Sequence, residues 1–139
     1  MTGSFTLDYV VFTFLAALGL FQMIASYSGL RGLLFIRARS LAFLSGLLTT
    51  AVAFLWFFLS EPRNVPDTQG GLDGNETAGL FTLGAVTALV LTLLLSSLRN
   101  RSMGKNGREH EEGLNALRDT TYVTALQDAV RSLWIRFGL

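Results

Sequence analysis

Residues 41–59 read LAFLSGLLTTAVAFLWFFL and contain no Asp, Glu, Lys, Arg or His. An α-helix rises about 1.5 Å per residue, so about 20 apolar residues cross the hydrocarbon core of a bilayer. Two more charge-free runs of similar length flank this one, at Tyr9–Tyr27 and at Ala78–Leu98. The three runs predict an all-α integral membrane protein with three transmembrane helices.

The composition agrees with a small membrane bundle. Hydrophobic residues make up 50% of the 139 residues and charged residues 15%, whereas soluble domains carry about 25% charged residues. The length permits one three-helix bundle, predicted over residues 1–107, followed by a tail over residues 108–139. The N-terminus lacks the Lys or Arg that opens a secretory signal, so we expect the first run to be retained as a helix.

Charge is distributed unevenly among the segments that connect the runs. The first connector carries three arginines and no acid: Arg31, Arg37 and Arg39. The segment over residues 60–77 is acidic, and basic residues follow the third run. Because Lys and Arg concentrate on the cytoplasmic side of a membrane, the N-terminus and the loop 60–77 are predicted outside and the C-terminus inside. We expect a multi-pass protein of the bacterial inner membrane.

Small residues recur along two of the runs. They stand at every fourth position of the third run, at Gly84, Ala88, Thr92 and Ser96, and a shorter row occupies the second run, at Ser45, Thr49 and Ala53. Small side chains let helices approach closely in a bilayer. We predict that these rows face each other or a partner helix, although such rows also arise by chance.

Gln22 is the one strongly polar side chain within a run. A buried amide needs hydrogen-bond partners. We expect Gln22 to form an interhelical hydrogen bond, and a cofactor ligand or a transport path is the alternative.

The acidic outer loop contains both prolines of the chain and three candidate interaction residues: Glu61, Arg63 and Asp67. Its acids do not follow the spacing of an EF-hand calcium loop, although an irregular calcium site is left open. Paired-carboxylate catalysis would need a domain that builds a cleft. Asn75 begins a glycosylation pattern that lies close to the third run. Asp73 and Glu76 fit the capping box of the following helix.

The tail is predicted to form an amphipathic helix. Asn100–Gly107 is polar and is predicted to be a hinge, and a helical pattern starts near Arg108. One face of that helix carries Leu126, Val130, Trp134 and Phe137. Such a helix lies in the inner headgroup layer of a membrane or packs in a groove on a partner protein.

The residues that the chain lacks exclude several chemistries. It has no Cys and one His, His110, which has no second imidazole nearby. No metal site is therefore predicted. No cofactor is predicted for this chain alone, while a lipid or pigment shared with partners is left open. The basic clusters are short and juxtamembrane, which fits anionic lipid better than nucleic acid.

These features favour a non-catalytic accessory subunit of a larger integral membrane complex, such as a bioenergetic one. Its partners would be the lipid bilayer and other integral membrane subunits. One alternative is a homo-oligomeric small channel or transporter, which would need a polar path through residues such as Gln22, Thr92 and Ser96. The other alternative is a membrane enzyme that uses the outer-loop carboxylates.

Overall fold

The computed structural model describes residues 2–59, 74–100, 117–118 and 120–137, and the regular elements within these ranges are helices. The α-helices are α1 (Thr2–Ser28), α2 (Arg39–Leu59), α3 (Gly74–Arg99) and α4 (Tyr122–Phe137). A short 3-10 turn, Arg31–Leu33, lies between α1 and α2. The first three α-helices are long and apolar enough to cross a membrane. The prediction of three spanning helices is confirmed, and it indicates a membrane protein.

All three spanning helices begin earlier than the charge-free runs, and the difference is largest for α1 and α3. α1 includes Asp8, and α3 begins at Gly74, so residues 74–77 belong to a helix instead of the predicted outer loop. An apolar run indicates which part of a helix can lie in lipid. It does not indicate where the helix begins, because polar residues can form the same backbone hydrogen bonds outside the lipid. Glu76 lies in the first turn of α3, where a capping box needs it, and Asp73 lies outside the described residues.

α1 is the central helix of the bundle. It contacts α2 and α3 extensively, whereas α2 and α3 scarcely contact each other. A Cβ at Gly46 of α2 would lie 2.6 Å from the carbonyl oxygen of Gly19 and 2.9 Å from Cγ of Met23. A Cβ at Gly84 of α3 would lie 3.0 Å from Cβ of Thr13. Glycine at these positions therefore lets both helices approach the α1 backbone closely.

The two small-residue rows do not face each other. In α3, all four residues of the predicted row are buried, and the row packs against α1 at Gly84. In α2, only Ala53 of the predicted row is buried, whereas the hydroxyls of Ser45 and Thr49 bond to carbonyls of their own helix. The buried face of α2 consists of Ala42, Gly46, Ala53 and Phe57. The face of α2 that packs against α1 is thus centred on Gly46 instead of the predicted Ser45, and Gly46 allows the closest approach.

The end of the bundle that holds the start of α1 and the end of α2 is packed by rings, and we call it the aromatic end. The rings of Phe12 and Phe57 stack with centroids 4.5 Å apart, and Phe54 meets Phe12 edge-on at 4.9 Å. The other rings of this cluster are Phe5, Tyr9 and Phe58. Each such pair adds about 0.5–1.5 kcal/mol beyond the burial of its area.

α4 begins at Tyr122, later than the predicted start near Arg108. Thr120 and Thr121 are not helical, and Leu117 and Arg118 form a separate 3-10 turn. Oγ1 of Thr121 accepts a hydrogen bond from the backbone N–H of Thr124 at 3.4 Å, which is the geometry of an N-cap. The cap starts the helix at this point, and residues 101–116 and 119 lie outside the described residues.

Candidate functional site: the clasp around the first connector

The connector over residues 29–38 folds back onto the end of the bundle opposite the aromatic end. Gly29, with φ of 72°, follows the last residue of α1. Its N–H donates to the carbonyl of Ser26 at 3.3 Å, and the N–H of Leu30 donates to the carbonyl of Ala25 at 2.9 Å. This pair of bonds is a Schellman motif, which needs the left-handed backbone that glycine adopts without strain. The chain is thereby turned back toward α1.

Leu34 is the apolar anchor of the connector. Its side chain is 1% exposed and packs in a cluster with Ala25 of α1 and Ala42 of α2. Burying a leucine contributes about 1.5–3 kcal/mol. The burial also removes the adjoining backbone from water, so its N–H and C=O groups need partners within the protein.

Gln22 provides two of those partners. Its Nε2 donates to the carbonyl of Leu33 at 3.2 Å, and its Oε1 accepts from the N–H of Phe35 at 2.9 Å. The side chain is 4% exposed, so both ends of a buried amide are satisfied. The expectation of an interhelical bond was wrong about the partner, because the amide bonds to the connector backbone and not to a second transmembrane helix.

Ser26 and Arg39 hold the two ends of the connector together. Oγ of Ser26 donates to the carbonyl of Arg39 at 2.6 Å, and Nε of Arg39 donates to the carbonyl of Ser26 at 3.0 Å. Nη2 of Arg39 also donates to the carbonyl of Tyr27 at 3.0 Å. A cation at a helix C-terminus satisfies carbonyls that lack helical partners and complements the dipole. Arg39 therefore caps α1, in addition to the topological role that its charge suggests.

Asn100, which follows the last residue of α3, also binds the connector. We call the side chains of Gln22, Ser26, Arg39 and Asn100, which form hydrogen bonds with backbone at or next to the connector, the clasp. Nδ2 of Asn100 donates to the carbonyl of Leu34 at 3.0 Å and, more weakly, to that of Arg31 at 3.4 Å. The residue is fully buried, and its Oδ1 has no hydrogen-bond partner. Asn100 was predicted as the first residue of a hinge, and this was wrong because its side chain binds the connector. The remainder of that predicted hinge lies outside the described residues.

The tail packs against the same connector. A Cβ at Gly32 would collide with the carbonyl oxygen of Thr120 and lie 2.9 Å from that of Leu117. Oγ of Ser97 in α3 accepts from the N–H of Val123 at 3.4 Å. The start of α4 is thus fixed against both the connector and α3. We call this end of the bundle, with residues 29–38, Asn100, 117–118 and 120–121, the connector end.

The remaining predicted interaction residues lie in three places. Thr92 and Ser96 are buried in the contact with α1, and their hydroxyls bond to carbonyls of their own helix. The side chains of Leu126, Val130 and Trp134 are exposed and line an open groove along α4. Glu61, Arg63 and Asp67 lie outside the described residues, as does the side chain of Phe137.

The geometry of the connector end is that of a structural site. Its buried polar side chains from α1 and α3 bind backbone groups of the chain itself. Among the described residues, no group of three or more His, Cys, Asp or Glu side chains could hold a metal ion. The arrangement therefore fixes backbone conformation, and the Gln22 amide, which is buried and bonded at both ends, contributes most to this.

Comparison with known proteins gives the chain no relative. No family model, curated protein or solved structure matches it.

Proposed function

We propose that this protein is a non-catalytic accessory subunit of a larger integral membrane complex. The observation that carries the proposal is the clasp, in which the Gln22 amide, the Ser26 hydroxyl and Nδ2 of Asn100 form hydrogen bonds with the chain's own backbone. A transporter or an enzyme needs polar groups that remain available to a substrate. A structural subunit needs a bundle whose helices keep fixed positions. The clasp contributes to this by holding the connector against α1 and the end of α3.

The outer faces of the bundle support the same proposal. Because α2 and α3 scarcely contact each other, each presents a long apolar face away from α1. Exposed residues on these faces include Leu44, Leu48, Leu55, Val90 and Leu94. Such faces pack against lipid or against helices of neighbouring subunits. The loop over residues 60–73 adds a polar cap to the assembly in this proposal.

The distribution of charge supports the orientation that we propose. Arg31, Arg37, Arg39, Arg99 and Arg118 lie at the connector end and are exposed, whereas Glu76 lies at the other end. The positive-inside rule then favours an inner membrane protein with the N-terminus outside and the connector end in the cytoplasm. α4 would lie on the cytoplasmic face as an amphipathic helix.

The channel alternative loses support from the same side chains. Gln22, Thr92 and Ser96 are buried and bonded within the chain. The exposed hydroxyls of Thr82 and Thr87 bond to carbonyls of their own helix. These hydroxyls donate their hydrogens within their own helices and leave only acceptor lone pairs for a permeating ion or water.

Single-cysteine crosslinking followed by native mass spectrometry tests the proposal, because the chain has no native Cys. Leu94→Cys lies on the exposed face of α3, and Ser96→Cys is its buried control. We expect crosslinks from position 94 to larger, unrelated chains, at a fixed stoichiometry in gently extracted complexes, and none from position 96. A symmetric homo-oligomer or a lone monomer would contradict the proposal.

Labelling of intact cells tests the orientation separately. Ser40→Cys lies at the connector end and Asn75→Cys at the start of α3, and both positions are exposed. A membrane-impermeant maleimide should label position 75 and leave position 40 unlabelled until the cells are opened. The reverse pattern would overturn the proposed orientation.

A further inference from the structure

We infer that the connector end and α4 together form a binding surface for anionic lipid headgroups, with the apolar face of α4 inserted among the adjoining acyl chains. This inference rests on the proposed placement of α4 at the membrane surface and adds the chemical class of lipid that it binds. It does not depend on the identity of any partner subunit.

The attachment of α4 sets its depth. The N–H of Val123 bonds to Oγ of Ser97, two residues before the last residue of α3, and Thr120 lies against Gly32 in the connector. α4 therefore begins at the level where the third spanning helix ends. A helix over Tyr122–Phe137 is about 24 Å long, and a helix attached at that level meets the headgroup layer.

One face of α4 is apolar and exposed. Leu126, Val130 and Trp134 line its open groove, and the three side chains are 48%, 47% and 60% exposed. Val123 and Leu133 lie in the same stripe, since neighbours at i+3, i+4 and i+7 share one side of a helix. Arg131 borders the groove, which is the position from which an arginine reaches headgroups while its stem covers apolar surface.

Charge identifies the occupant of this face as anionic lipid. Arg31, Arg99 and Arg118 are exposed at the connector end, and Arg131 is exposed on α4. Among the residues that the structure describes at this end, Asp128 is the one acid. Guanidinium groups bind phosphate oxygens through paired hydrogen bonds. A cationic rim beside an apolar stripe matches a layer of phosphates above acyl chains.

Quenching of Trp134 by brominated lipid tests the inference on the full chain. The chain has two tryptophans, so Trp56→Phe leaves Trp134 as the single reporter. The protein is reconstituted into vesicles of phosphatidylcholine alone or of phosphatidylcholine with phosphatidylglycerol, each with brominated acyl chains. We expect strong quenching and a blue-shifted emission in the anionic vesicles, with both effects reduced in zwitterionic vesicles and at high salt.

Two matched variants isolate the charge. Replacing Arg99, Arg118 and Arg131 together by Gln should weaken the docking equilibrium about fivefold for each charge removed. Replacing the same three by Lys keeps the charge and should retain most of the docking. Equal quenching in both kinds of vesicle would overturn the inference. Absence of quenching in both would also overturn it, because α4 would then not insert into lipid of either kind. If the Gln variant does not fold, the lipid comparison on the parent protein still decides.

Discussion

The two ends of this bundle hold the same helices together by different physics. At the aromatic end, the contact between α1 and α2 rests on ring packing, with Phe57 stacked on Phe12. At the connector end, Gln22 and Asn100 make directed hydrogen bonds to backbone groups of the connector. The aromatic end joins helices whose backbones are already satisfied, whereas the connector end has to satisfy backbone that is not helical.

This difference explains where the buried polar residues are found. A helix satisfies its own N–H and C=O groups, so helix pairs in an apolar environment need only close packing. The connector turns back into the bundle without a continuous helix, and Leu34 holds it there. Side chains that form hydrogen bonds with backbone groups are needed only where buried backbone is not helical, as in this connector. Replacing one apolar side chain by another at the aromatic end should therefore lower the free energy of unfolding less than replacing a polar side chain by an apolar one at the connector end.

Gln22→Leu is predicted to have the largest effect. The replacement has a similar volume, but it leaves the N–H of Phe35 and the carbonyl of Leu33, both in half-buried residues, without their hydrogen-bond partner. Each unpaired group costs about 1–3 kcal/mol, so the loss of both partners should lower the free energy of unfolding by about 2–6 kcal/mol. Reversible unfolding in mixed micelles with rising dodecyl sulfate measures this change. Ile24→Leu, at an exposed position of the same helix, is the control and should leave stability nearly unchanged.

Gly46→Ala should have an intermediate effect at the contact between α1 and α2. The added Cβ would lie 2.6 Å from the backbone oxygen of Gly19, so the two helices must separate. Overpacking of this kind costs about 1–3 kcal/mol. Gly79→Ala in α3 is the matched control, because nothing lies within 4 Å of its Cβ position. The control should be neutral or stabilise the helix by up to about 1 kcal/mol. Equal effects of the two substitutions would refute the close contact.

Phe57→Leu should cost less than Gln22→Leu. The replacement keeps an apolar side chain and leaves no polar group unpaired, so the loss is confined to ring contacts, of which the stacking on Phe12 at 4.5 Å is the closest and contributes about 0.5–1.5 kcal/mol. The same unfolding assay gives the direct comparison with Gln22→Leu. A larger loss at position 57 than at position 22 would reverse the contrast between the two ends.

The sequence predicted the spanning helices because hydropathy is a local property of each run. It also identified Gly84, Ala88, Thr92 and Ser96 as a packing row, since their fourfold spacing places them on one helix face. The shift from Ser45 to Gly46 in α2 could not be predicted, because it depends on which face of α1 each helix meets. Both helices contain small residues on more than one face, so their positions alone do not identify the face that meets α1.

The clasp was largely hidden from sequence reasoning. Gln22 was recognised as a buried amide, but its partners are backbone groups of the connector. Nearly every residue carries the same backbone groups, so the sequence does not show which of them Gln22 binds. Arg39 was assigned to topology alone, because it stands at the start of α2 and only the fold brings it to the carbonyls at the end of α1 that it caps. Asn100 stands before a polar segment, which suggested a hinge. The pair Thr120 and Thr121 was the available signal for the late start of α4.

Amide hydrogen exchange at Phe35 tests the central claim most directly. The account predicts that this N–H, although outside any helix, exchanges as slowly as amides in the middle of α1, because it donates to buried Oε1 of Gln22. In Gln22→Leu, the Phe35 amide should lose that protection while the α1 amides keep theirs. Fast exchange of Phe35 in the unsubstituted protein, or unchanged protection in the variant, would contradict the clasp.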